Sequence, residues 1–98
     1  MTNNKLDRAL QSVGMITFVD YFEKFQDASL THKDLVDMLK RDKNNNYKKS
    51  SIIAKASNGR LICKMSQDFD ALKTTAFASQ ADKATIAKAR ILLAERYQ

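Results

Sequence analysis

No proline interrupts the 98 residues, and the only glycines are Gly14 and Gly59. Proline removes a backbone donor and clashes with the preceding helical turn, and a mid-helix glycine costs about 1 kcal/mol against alanine. A chain nearly free of both, and rich in Ala, Lys, Leu and Asp, favours helices over strands. The sequence therefore predicts an all-α fold, one domain over 1–98, built as a compact bundle of about five helices. With 44% hydrophobic and 29% charged residues, the chain is ordinary globular material rather than disordered.

Apolar spacing locates the helices. Over 5–26, Leu6, Ala9, Leu10, Val13, Met15, Phe18, Val19, Phe22 and Phe25 keep one helical stripe. Gly14 either kinks this stretch or divides it. The three phenylalanines are expected at the centre of the core. Their acidic neighbours Asp20, Glu23 and Asp27 argue against a base-stacking platform, which normally has basic surroundings. Phe18, Phe22, Leu35, Leu39, Phe69, Leu72 and Leu93 are the predicted core anchors.

The next helix has a strong start signal. Thr31 caps it with Asp34 at the third position, and Leu30 and Leu35 stand at the positions of a hydrophobic staple. Leu35, Val36 and Leu39 face inward, with Met38 beside them. Asn44-Asn45-Asn46 stops the helix near Asp42, since asparagine tolerates tight-turn backbone and competes with helical bonding. A third helix is expected from about 47 to 57, with Ile52, Ala56 and Cys63 on its inner side. Asn58-Gly59 is also a hairpin signal, which would make a short β-wing near 58–59. Poor alternation in the flanking segments favours a helix to 57, then a turn or irregular helix through 60–65. Ser66 is the expected cap of a fourth helix with Phe69, Leu72 and Ala76 inward and Phe77 at the flank. Asp82 is the expected cap of the last, where Ile86, Ala89, Leu93 and Tyr97 recur and Ile91 and Leu92 widen the apolar face. That wide face either fills the monomer core or supports a homodimer through 82–98.

The charge is concentrated. Residues 40–64 hold Lys40, Arg41, Lys43, Lys48, Lys49, Lys55, Arg60 and Lys64 against the single acid Asp42, while the whole chain carries +6. A local basic stretch interleaved with Asn and Ser is the electrostatic footprint of a phosphate-binding surface. The helices at 31–42 and 47–57, joined by a short polar turn, resemble helix-turn-helix proteins in architecture, over about a quarter of the chain. Asn45 or Asn46 stands where such turns often carry glycine. The resemblance implies that the second helix enters the major groove by its N-terminal end. Tyr47, Lys48, Lys49, Ser50 and Ser51 would then meet bases and phosphates, with Lys40, Arg41 and Lys43 clamping the backbone. Lys55, Arg60 and Lys64 complete the candidate surface, and Lys55 is expected to stay exposed.

Other chemistries lack their residues. His32 is the sole histidine and Cys63 the sole cysteine, which leaves no triad, no metal-ligand set and no internal disulfide. Cys63, beside Leu61 and Ile62, is expected to be a packed thiol. Two scattered glycines form no phosphate loop. The first residues carry no apolar run of signal-peptide length, so no secretory leader, spanning segment or cofactor is expected, nor a basic amphipathic membrane face, because Ile52 and Ile53 are needed inside. The expectation is a cytoplasmic, non-enzymatic, helix-turn-helix-like regulator of transcription or accessory factor. Its partner is duplex DNA, with RNA left open. The competing expectation is an inhibitor, adaptor or nuclease-associated subunit that docks its basic face on an acidic protein.

Overall fold

In the computed structural model, residues 4–42, 48–78 and 81–96 are described, and their regular structure is seven α-helices with no strand. The N-terminal stripe is divided twice, giving α1 (Asn4–Val13), α2 (Met15–Asp20) and α3 (Phe22–Gln26). Gly14 sits at φ 86°, left-handed backbone that glycine adopts without a Cβ clash, so it separates two helices rather than kinking one. Tyr21 makes the second, gentler break while keeping helical bonds to both sides, Tyr21 N to Thr17 O and Phe25 N to Tyr21 O. The bends wrap one apolar stripe around the core. Phe18, Phe22 and Phe25 are all buried there. Phe18 meets Phe22 edge-on at 5.6 Å and stacks near Phe25 at 6.0 Å, both favourable aromatic geometries. Their burial overturns the stacking-platform alternative.

α4 (His32–Arg41) begins with the expected capping box. The Asp34 amide donates to Thr31 Oγ1 at 3.1 Å, and the Thr31 amide donates to Asp34 Oδ2 at 2.9 Å. Leu35, Val36 and Leu39 are buried, and Leu30 packs partly against the core.

α5 (Lys49–Lys64) corrects the expected boundary: it runs 16 residues without the break at 57, and the hairpin signal lies inside it. Gly59 is there for space. A Cβ at this position would come within 2.5 Å of the Phe25 ring, so only glycine lets that ring lie against the helix backbone. Ser66 also takes a different role from the expected one. At φ 58° it occupies the left-handed position just past α5. Ser66 N bonds to Cys63 O and Gln67 N to Ile62 O, a Schellman ending normally made by Gly or Asn. Gln67, not Ser66, stands at the N-cap of α6 (Asp68–Ala76), and its side chain makes no cap bond.

α6 buries Ala71, Leu72, Thr75 and Ala76. Phe69, expected inside, is 37% exposed with the Lys73 ammonium 5.8 Å from its ring centre. Its position lies about a quarter-turn from the centre of the buried face at 3.6 residues per turn. α7 (Lys83–Arg96) starts as expected after Asp82, whose carboxylate accepts from the Thr85 amide at 3.3 Å. Its Ala89 is buried, whereas Leu93, expected as a core anchor, is only half-buried beside Leu92. Ala84, Ala87, Ile91 and Ala94 are exposed. Tyr97 lies outside the described residues.

α5 is the central helix, packed on α1, α3, α4 and α6, while α6 and α7 form a hairpin tied to α2 through α7. At the surface of that tie, Lys88 pairs with Asp20 at 3.0 Å and Arg96 lies near Glu23 at 3.6 Å. No helix among the described residues is long and apolar enough to cross a membrane.

Candidate nucleic-acid interface

The structure divides the basic stretch into cations that hold the fold and cations that meet solvent. Lys55, expected on the open face, is 8% exposed. Its ammonium donates to the Val13 carbonyl at 2.7 Å, at the C-terminal end of α1 where helical carbonyls have no intrahelical partner and the helix dipole is negative. Arg60 is committed in the same way. Its guanidinium donates to the carbonyls of Phe25 at 3.0 Å and Asp27 at 2.8 Å, and to that of Leu30. These carbonyls run from the last turn of α3 through its connection to α4, so Arg60 fixes that stretch against α5. Lys55 is therefore buried rather than on the solvent face expected for it, whereas Arg60 is half-buried with its donors turned to these carbonyls.

Lys48, Lys49 and Ser50 are exposed at the start of α5, and Ser51 is half-buried. Lys40 and Arg41 are exposed at the end of α4, where Arg41 Nε also donates to the Asp37 carbonyl at 3.2 Å. Lys43 and Tyr47 lie outside the described residues. Just before them, Asp42 accepts from the Tyr21 hydroxyl at 2.6 Å, and burial pushes that phenol's pKa up, helped by the bond to Asp42. Lys64 is exposed at the far end of α5, about 22 Å from Lys49 at 1.5 Å rise per residue. Among the described residues, the exposed candidate cations thus fall at the end of α4, at the start of α5 and at the far end of α5 rather than in a single cluster.

Between those ends, α5 turns Ser50, Ile53, Ser57 and Leu61 outward. Ile53 is 42% and Leu61 36% exposed, so Ile53 is not the inward residue expected. No carboxylate occurs from Lys43 to Gln67. Alongside this face, a groove of about 440 Å³ runs between α1 and α5, lined by Lys5, Arg8, Ala9, Ser12, Asn58 and Leu61. Asn58 is oriented by its own amide donating to the Ala54 carbonyl at 2.8 Å. Lys5 and Arg8 escaped sequence reasoning because they lie far along the chain from the basic stretch. The available signal was their spacing: Lys5, Arg8 and Ser12 share one flank of α1, apart from Asp7 and Gln11.

A second hollow of about 450 Å³ gathers Phe25, Leu30, His32, Arg60, Cys63 and Lys64. Burial pushes the half-buried Cys63 thiol up to about 12, with Asp68 adding to the shift, so it stays protonated and unreactive at neutral pH. Among the described residues, no group of three or more His, Cys, Asp or Glu side chains is placed to hold a metal ion. No protein-family model matches the chain, and neither a curated protein nor a solved structure does.

Proposed function

We propose that the protein binds duplex DNA through the outward face of α5, as a small helix-turn-helix-like regulator or accessory factor in the cytoplasm, without enzymatic activity. The observation that carries this reading is the composition of that face: exposed Lys48 and Lys49 at its start, small Ser50 and Ser57 along it, Lys64 at its end, and no carboxylate on the helix. Long cations reach phosphates, and short polar side chains let the helix approach base edges. The helix packs beside α4, whose end supplies Lys40 and Arg41. RNA offers the same phosphates, but a helix reads the wide major groove of B-form DNA better than the narrow one of A-form RNA.

The test is retardation of duplex DNA over a salt series. About five phosphate contacts give a log–log slope between roughly −4 and −5. Lys49→Ala should weaken binding on every sequence and reduce the slope by about one unit, while Ser50→Ala should shift sequence preference at nearly constant slope. Absence of binding at low salt would overturn the reading. An acidic protein partner then moves ahead, because exposed Ile53 and Leu61, with Lys49 and Lys64 exposed at either end of the same helix, also suit the apolar centre and charged rim of a protein interface. Pairing of two copies through 82–98 is part of the proposal, supported by Ile91 at 56% exposure in line with Ala84, Ala87 and Ala94. Sedimentation should give a dimer for the wild type and a monomer for Ile91→Lys; a monomeric wild type would remove this pairing.

A further inference from the structure

Two helices that never adjoin in sequence place cations at the same end of α5. Lys55 in the middle of α5 reaches Val13 at the end of α1, while Lys5 and Arg8 near the start of α1 line a groove with Asn58 and Leu61 near the end of α5. The two helices are therefore antiparallel, and the start of α1 lies beside the end of α5. Lys64, three residues beyond Leu61, is exposed at that same end, on the flank of α5 that borders the second hollow. The described residues lining the groove include no acid, and Asp7 lies on the flank of α1 that borders a separate hollow with Thr74.

We infer that Lys5, Arg8 and Lys64 form a second backbone contact, on the DNA strand opposite the one held by Lys48 and Lys49. This rests on the DNA-binding reading of α5 and extends it from a helix tip to a clamp across the groove. The geometry is the warrant. The major groove of B-form DNA is about 12 Å wide, and Lys49 and Lys64 stand about 22 Å apart along α5. A helix longer than the groove is wide, when inclined across it, brings its two ends to the phosphate chains that border the groove. Cations at only one end would grip one strand and leave the helix free to pivot. Cations at both ends fix its register, and the small side chains of Ser50 and Ser57 then lie between the two contacts, where base edges are.

The experiment compares the wild type, the double variant Lys5→Ala/Arg8→Ala, and Lys33→Ala, an exposed cation near the start of α4. Each is measured on duplex DNA over a salt series, with circular dichroism to establish that each is folded. The double variant should bind roughly tenfold or more weakly at low salt and lose about two units of slope, equally on all sequences. Arg8→Lys should keep the wild-type slope, and Lys33→Ala should match the wild type. Phosphate-ethylation interference should show contacts on both strands for the wild type and loss on one strand only for the double variant. If the wild type binds and the double variant keeps its slope and both sets of contacts, the clamp is wrong and the α5 reading survives. If the wild type does not bind, both fall together.

Discussion

The inward and outward faces of α5 are built from the same residue types and do opposite things. Lys49 and Lys55 are six positions apart; one is exposed and the other holds the end of α1. Arg60 and Lys64 are one turn apart; one gathers three backbone carbonyls and the other is exposed. What separates the pairs is the backbone that approaches the helix. Helix ends and tight connections leave carbonyls without amide partners, and a long cationic side chain satisfies them while its stem fills apolar space. Charge density along a sequence therefore overstates the charge a surface can offer.

The sharpest way to break this comparison is on the inward face. Gly59→Ala should cost about 3 kcal/mol, at the upper end of overpacking penalties, because its methyl group meets the Phe25 ring, and this despite better helix propensity. Urea unfolding measures it; an unchanged or raised midpoint would mean that ring and helix are not in close contact. Next, Lys55→Ala should cost about 2 kcal/mol through the loss of a charge-assisted bond and its buried stem, while the salt slope for DNA stays at the wild-type value. A reduced slope in this variant would return Lys55 to the binding surface.

Away from α5, Thr31→Ala should cost about 1 kcal/mol by removing the cap of α4. It also has a pH signature. Hydrogen bonds from the Thr31 backbone and side chain hold the Asp34 carboxyl below its ordinary 3.8. A depressed value stabilises the fold above that pH, and the contribution is lost as pH falls through the folded-state value. Thermal melts should show the difference between wild type and Thr31→Ala shrinking in acid. The smallest effect belongs to the outward face: Lys49→Ala should change stability by less than about 0.5 kcal/mol while altering DNA binding. A large loss of stability there would erase the division between the two faces.

How much of this was legible depends on where each feature's partner lies. The Thr31–Asp34 box and the Asp82 cap join residues three apart, and the phenylalanine stripe repeats within one stretch, so local spacing announced all of them. Gly59, Lys55 and Arg60 answer to Phe25, Val13 and Leu30, which lie 30 or more residues earlier, so local pattern misread Gly59 as a turn and Lys55 as exposed and gave no hint of the carbonyls that Arg60 meets. Phe69 was misplaced for a subtler reason: Leu72 and Ala76 fit its stripe, but the alanine at 71 and threonine at 75 turn the buried face away from it. The exposed cations of the basic stretch were readable: Lys40, Arg41, Lys48, Lys49 and Lys64. The groove was not, because it exists only once α1 lies beside α5.

The bonds from α5 to earlier segments also set an order of events during synthesis. Arg60 reaches back 30 residues to Leu30, and Lys55 reaches back 42 residues to Val13. Until α5 has left the ribosome, the Phe25 ring has no helix to lie against, and the end of α1 and the connection from α3 to α4 lack these donors. The first four helices can form their own turns, yet their shared apolar face stays open to water until the chain has been made to Lys64. A nascent chain stalled before that point is an exposed phenylalanine cluster, the kind of surface that chaperones hold and neighbouring chains adhere to.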